Sequence, residues 1–160
     1  MESGFQSAYF YENLYLHTMF WTIAEYNPVH TPRLREVFLT SRKLAFPWYD
    51  DKRLKLKDFD AVIQEEEVLV ALIENNPVGF IAWWTPDNFI HSLFIDPDFT
   101  GKGIGKDLLE KCLDRLGRPA KLKVLKANSK ACDFYKYQGW KVESEGVSAD
   151  GPYFLLSYAE

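Results

Sequence analysis

The stretch Thr100-Gly101-Lys102-Gly103-Ile104-Gly105-Lys106 joins a segment of strand pattern to an amphipathic helix. Glycines at such a junction let successive backbone N–H groups converge on one concavity at the helix N-terminus. The chemistry on offer is anion binding, and the spacing narrows which anion. A nucleoside-triphosphate loop needs four residues between its glycines and then Lys-Ser/Thr. Here three residues separate Gly101 from Gly105, and Asp107 follows the lysine. A dinucleotide fingerprint needs G-x-G-x-x-G after the first strand of its unit. Here the pattern is G-x-G-x-G, and it follows the fourth strand of the chain. Both readings fail on count.

The stretch resembles the pyrophosphate loop of the GNAT superfamily of N-acetyltransferases, Gln/Arg-x-x-Gly-x-Gly/Ala after a strand ending apolar-x-apolar-Asp-Pro. This chain has Leu93-Phe94-Ile95-Asp96-Pro97 and then Thr100 through Gly105, with Thr100 in place of the usual Gln or Arg. A second block, Asn128-x-x-Ala131-x-x-Phe134-Tyr135-x-x-x-Gly139-Trp140, is similar to the family's Asn-x-x-Ala-x-x-Phe-Tyr-x-x-x-Gly-Phe. A glycine loop alone is a weak signal; the two blocks in this order are a strong one. The resemblance covers roughly residues 24–158.

The resemblance implies that acetyl-CoA is the cosubstrate and lies between two parallel strands that splay apart, here Phe89–Ile95 and Ala120–Leu125. The backbone of Leu93, Phe94 and Ile95 would pair with its pantetheine arm as an added strand does. An N–H there would also polarise the thioester carbonyl. Thr100, Gly101, Lys102, Gly103, Ile104, Gly105 and Lys106 would hold the pyrophosphate, and Asn128 the pantetheine amide. Ala131 and Phe134 belong to the same cofactor-binding block, although Phe134, Gly139 and Trp140 read first as packing and capping residues. Tyr135 is the expected general acid, because a phenol with an ordinary pKa of about 10 stays protonated at neutral pH and can donate to a departing thiolate.

An amine acceptor also needs a base. His91 lies two residues before Leu93, with the face parity of Leu93 and Ile95, and an ordinary pKa of about 6.5 suits the task. A buried structural histidine, a substrate-binding histidine, or a water chain ending on a carbonyl are the alternatives. Trp48, Tyr49, Trp83 and Trp84 are candidates for the acceptor pocket; Trp83 and Trp84 have opposite parity, so at most one of them faces it. Cys112 falls on an apolar helical stripe, and nothing marks Cys132 as a nucleophile. Two function classes fit: an acetyl-CoA-dependent N-acetyltransferase acting by direct attack of the amine, and an acyl-CoA-binding sensor without turnover.

Those residues need a sheet to hold them. Tyr15–Glu25 reads as a first strand after an N-terminal extension over residues 1–14. Thr31 is the expected N-cap of a helix carrying Leu34, Val37, Phe38 and Ser41, with Pro32 at its first position. A charged helix is expected over residues 50–64. Val68–Ile73 and Pro77–Trp84 form a hairpin about Asn75-Asn76, and Phe89–Ile95 follows the turn at Thr85–Asp87. Ile104, Leu108, Leu109, Cys112, Leu113 and Leu116 then give a helical stripe. Ala120–Leu125 is a strand, Ser129–Gln138 a helix, and Trp140–Glu145 and Tyr153–Tyr158 close the chain. The order β-α-α-β-β-β-α-β-α-β-β is an α/β class fold, an α+β mixed sheet with helices on both faces, as in GNAT-like acyl-CoA N-acyltransferases.

At 160 residues the chain is expected to form a single domain over 1–160. Its 47% hydrophobic and 26% charged content excludes disordered and fibrous classes. No apolar run approaches the ~18 residues of a membrane span, and the N-terminus lacks a signal-peptide pattern. Two cysteines and three histidines match no zinc spacing. These features point to a reduced, cytoplasmic protein with no metal, no membrane and no nucleic-acid partner. The resemblance implies a small-molecule, peptide or protein amine as the acceptor, and a homodimer through the C-terminal strands fits it. The net charge of -4 is unevenly spread. Residues 101–141 hold 11 Lys and Arg against four Asp and Glu, a balance of +7 that would steer a phosphate-bearing cosubstrate. The remainder is -11, which suggests a cationic amine on the acceptor side.

Overall fold

The computed structural model describes residues 20–160. The N-terminal extension and residues 15–19 of the first expected strand lie outside the described residues. Seven strands, β1 (Thr22–Glu25), β2 (Glu67–Ile73), β3 (Asn76–Trp84), β4 (Phe89–Ile95), β5 (Ala120–Leu125), β6 (Lys141–Ser148) and β7 (Gly151–Tyr158), form one sheet in the order β1-β2-β3-β4-β5-β7-β6. Four α-helices flank it: α1 (Thr31–Ala45), α2 (Asp58–Val62), α3 (Ile104–Leu113) and α4 (Ser129–Tyr137). The element order is the expected one.

Alternation along the central strands divides the core. Val68, Val70, Phe80 and Ala82 face α1 and α2 and bury Leu34, Phe38 and Phe59. Leu69, Ile81 and Trp83 face the other side, against Ile104, Leu108, Leu109 and Cys112 of α3 and Tyr135 of α4. Leu34, Val37, Phe38 and Ser41 are the buried residues of α1, as their spacing predicts.

Local chemistry moves three boundaries. Thr31 is not an N-cap but the first residue of α1. A 3-10 turn at Pro28–His30 precedes it, capped by the Asn27 side chain, with His30 Nδ1 accepting from the Asn27 N–H at 3.1 Å. The helix expected over residues 50–64 is broken into a 3-10 turn at Asp51–Arg53, an extended Leu54, and the short α2. Asp50 and Asp58 break it by accepting from the backbone N–H groups of Lys52 and Lys55, at 3.0 and 2.9 Å. The β2–β3 turn is centred on Glu74 and Asn75, both at positive φ, one residue earlier than expected.

The feature that positions the site is the junction of β4 and β5. Among the described residues it is the one parallel pairing, and it joins only Phe89 to Lys121 and Ile90 to Leu122. Beyond Ile90 the two strands diverge, and β7 rather than β4 continues to pair with β5 as far as Leu125.

Candidate active site

A cleft of about 470 Å³ opens where β4 and β5 part. Residues 90–94 of β4 and 122–125 of β5 form its walls. Asn128, Ala131 and Tyr135 close one side, and Arg42, Phe46, Tyr49, Arg53, Leu54 and Asp150 border the other.

The register of β4 decides which groups enter the cleft. Asp96 N–H donates to the Val78 carbonyl at 2.7 Å, so Phe80 and Phe94, two residues along on each strand, form the next hydrogen-bonded pair. Backbone groups of Phe94 are therefore spent on β3, and its ring packs with Phe38 on the α1 side, centroids 5.0 Å apart. The expectation that Leu93, Phe94 and Ile95 all present free backbone is narrowed. Leu93 and Ile95 turn their N–H and C=O toward β5, and the Ile95 carbonyl already accepts from Ser41 Oγ at 2.9 Å. Leu93 remains as the residue with both groups open to the cleft.

His91 is displaced from its expected face. Ile90 pairs with Trp83 while Ser92 pairs with Ala82, so two residues on β4 span one on β3, and His91 is the extra residue of a β-bulge. Simple alternation gave His91 the face of Leu93 and Ile95. The bulge puts it instead on the face of Ser92 and Phe94, toward α1. There its ring lies 4.8 Å from Phe89, and Nδ1 meets Glu66 Oε1 at 2.5 Å. The Glu66 side chain is 9% exposed, and its Oε2 is buried with no partner among the described residues.

Tyr135 comes from α4 and is 8% exposed, its ring 5.1 Å from Phe134 and 5.8 Å from Trp140. It lines the cleft from the side opposite His91. Burial, with a smaller contribution from Cys112 nearby, raises its pKa well above the usual tyrosine value, so the phenol is held protonated. Asn128 caps α4, its Oδ1 accepting from the Ala131 N–H at 3.2 Å, which leaves its amide N–H donors for another acceptor.

The glycine loop stands beside this cleft at the head of α3. Gly101 and Gly103 adopt φ of +76° and +98°, and Gly103 is the N-cap residue. These left-handed positions turn the loop so that N–H groups at the start of α3 lack intrahelical partners. Ile104 contributes only its backbone, because its side chain is buried in the core. The Thr100 hydroxyl donates to the Pro97 carbonyl at 3.2 Å, within its own turn. Lys102 and Lys106 flank the loop, Lys106 lying 3.8 Å from Glu110. Gly105 sits against Phe134 and Ile95, so Phe134 packs the loop onto the end of β4.

Among the aromatic candidates for the acceptor side, Tyr49 lines the cleft. Its pKa is pushed up to about 12, by burial first and then by Asp150. Trp48 packs against Phe46 and Tyr49 but faces outward. Trp83 is fully buried in the core, and neither it nor Trp84 lines the cleft. Glu66, Arg42, Phe46, Arg53 and Asp150 were not marked by any motif. Cys112 is core, as its stripe predicts, with its thiol pushed up to about 12 by burial. Among the described residues no group of three or more side chains could hold a metal, and no helix is long and apolar enough to cross a membrane.

A mixed sheet split between two parallel strands, with a glycine-headed helix beside the split, defines an acyl-CoA N-acyltransferase fold. Residues 31–140 match the acetyltransferase (GNAT) family, and the chain belongs to it. Peptidyl-lysine N-acetyltransferase YjaB of Salmonella typhimurium is 40% identical over 86 residues, 52% of this chain and 57% of that protein. The Escherichia coli YjaB is 35% identical over 111 residues, 67% of this chain and 74% of that protein. In the Salmonella case the alignment thus spans little more than half of the relative's length. The solution structure of apo YjaB from E. coli superposes with a TM-score of 0.72 at 24% identity, over 88% of this chain and 98% of that one. PaiA N-acetyltransferase from Thermoplasma acidophilum, solved with coenzyme A, gives 0.75 at 23% identity, over 89% and 100%. These two likenesses bear on the fold.

Proposed function

We propose that this protein transfers the acetyl group of acetyl-CoA to the side-chain amine of a peptidyl lysine, by direct attack of the amine and without an acyl-enzyme. The observation that carries the reading is the cleft between β4 and β5, which brings a protonated phenol, Tyr135, and an imidazole, His91, to opposite sides of one opening. Names of the curated relatives support the acceptor class. The thioester supplies an activated acyl carbon and a thiolate leaving group.

The residues of this chain have four tasks. Gly101 to Lys106 offer N–H groups and two lysines to a pyrophosphate. Leu93 offers its open backbone edge to an extended amide-bearing arm, with Asn128 donating from its side-chain amide. Glu66 accepts from His91 Nδ1–H, which fixes the tautomer and leaves Nε2 to take the proton of the attacking amine. Tyr135 gives its proton to the departing sulfur. The two free cysteines, neither activated, suit a reducing, cytoplasmic setting.

Release of coenzyme A thiol from acetyl-CoA, followed across lysine peptides and small amines, tests this function. Acetylation of a lysine peptide is expected, together with thermal stabilisation by acetyl-CoA, since a ligand specific to the folded state must stabilise it. Stabilisation without turnover on any amine would favour the acyl-CoA sensor. An absence of stabilisation would remove the cosubstrate assignment.

A further inference from the structure

The acceptor border of the cleft is built mainly from residues 42–57. That segment holds six Lys and Arg against Asp50 and Asp51, a balance of +4 inside the otherwise acidic part of the chain. Arg42 is committed to structure. Its guanidinium lies 3.8 Å from the Phe38 ring centroid, pairs with Asp58 at 3.1 Å and donates to the Lys55 carbonyl at 3.3 Å. It thereby staples α1 to the loop and holds the border in place. The side chains of Lys43, Lys52, Arg53, Lys55 and Lys57 form no ion pair among the described residues. Apolar side chains are exposed between them: Leu44, Trp48 and Leu56 are 65%, 48% and 47% exposed. Phe46 and Tyr49 continue this apolar surface into the cleft, Trp48 lying 5.7 and 6.1 Å from their rings.

Two carboxylates stand near this border, and Lys123 lines the β5 wall. Asp150 lines the cleft, and Glu66 stands behind His91. The overall charge balance implies an acidic acceptor side; the border itself is basic, with Asp150 and Glu66 as the acids near it. A basic, aromatic rim is complementary to the anions and the apolar residue that flank a lysine.

We propose that residues 42–57 dock an acidic peptide, so that the acetylated lysine is one flanked by Asp or Glu and by an apolar residue seated on Trp48. The inference rests on the acetyltransfer reading and adds the class of sequence around the acceptor lysine. Complementary charge accounts for the flanking acids, and the continuity of Trp48, Phe46 and Tyr49 with the cleft accounts for the apolar neighbour.

Two peptides of equal length test it, each with a central lysine beside a leucine, one flanked by glutamates and one by arginines. Initial rates are measured with wild-type protein, the double variant Lys52→Glu/Arg53→Glu, and Trp48→Ser. The acidic peptide is expected to show roughly tenfold higher kcat/KM, the sum of several exposed charge pairs, and an advantage that shrinks as salt rises. Charge reversal should invert the preference, which a merely unfolded variant cannot do. Trp48→Ser should raise KM for both peptides. Polyglutamate should compete with the acidic peptide. Equal rates on the two peptides, or a preference untouched by reversal, would overturn the docking surface while leaving acetyltransfer intact. Competition by an RNA oligonucleotide but not by polyglutamate would assign the rim to nucleic acid instead. Acetylation of small amines with no activity on either peptide would overturn it too, and no acetylation of any amine would remove both readings.

Discussion

Replacing Tyr135 with phenylalanine separates catalysis from folding. The phenol makes no hydrogen bond among the described residues, and its ring is fixed by Phe134 and Trp140. Removing one oxygen therefore leaves the packing in place, and the melting temperature is expected to stay within about 2 °C. Coenzyme A thiol, by contrast, must then leave as a bare thiolate. A positioned general acid contributes typically 10²–10⁴-fold, so kcat is expected to fall roughly a hundred- to a thousandfold, about 3–4 kcal/mol of transition-state stabilisation. The KM for acetyl-CoA should change little. Thiol release at saturating peptide measures the loss. A diagnostic control replaces acetyl-CoA with an acetyl thioester of a more acidic thiol, whose thiolate needs no proton to depart. The penalty of Tyr135→Phe should then shrink. An undiminished kcat, or a loss of equal size with both thioesters, would refute the assignment of Tyr135 as acid.

Other outcomes follow from particular contacts. Glu66→Gln should lower kcat about tenfold, and less than His91→Ala, without altering acetyl-CoA affinity, because it disturbs only the orientation of the imidazole; steady-state kinetics on both variants checks this. Gly79→Ala places a Cβ 2.6 Å from Ile95 Cδ1 and 3.0 Å from the Phe94 carbonyl, so urea denaturation should show a loss of about 1–3 kcal/mol. Gly103→Ala meets nothing closer than Trp21 at 3.8 Å, so its cost is the left-handed backbone alone, about 1 kcal/mol, accompanied by weaker acetyl-CoA binding in a thermal-shift titration. The Cys112 thiol ionises at about 12 when folded, against about 8.5 in an unfolded chain. Its stabilising contribution is thus complete below pH 8.5 and is lost as pH rises toward 12, roughly 1–2 kcal/mol by pH 10. Denaturation of wild type between pH 7 and 10 should steepen accordingly, and Cys112→Ala should show the shallower slope.

The glycine loop and the Asn128–Trp140 block could be read in sequence because each residue's local backbone role is written in its own type and spacing. The left-handed Gly101 and Gly103, the Asn128 cap and the Gly139 turn are all of this kind. The position of His91 could not be read. Nothing in Phe89-Ile90-His91-Ser92-Leu93 announces an extra residue, since a bulge is defined by the partner strand, here by Ala82 and Trp83. Glu66 escaped for the same reason: it precedes β2 by one residue, and only the sheet brings it to His91, 25 residues away. The charged stretch at 50–64 misled in another way. Its pattern allowed a helix, but Asp50 and Asp58 offered the backbone closer partners. The rim of the cleft is a product of that break.

The opening between β4 and β5 also has a kinetic meaning. Its lining comes from both faces of the sheet, Asn128 and Tyr135 on one and Arg42 and Tyr49 on the other. On the proposed function, an acyl-CoA held on the first face leaves the second open to the amine. Both reactants are then expected to bind in either order, each product leaving by the face its precursor entered. Initial-rate patterns of intersecting lines, with each product competing only against its own parent, are the expected outcome.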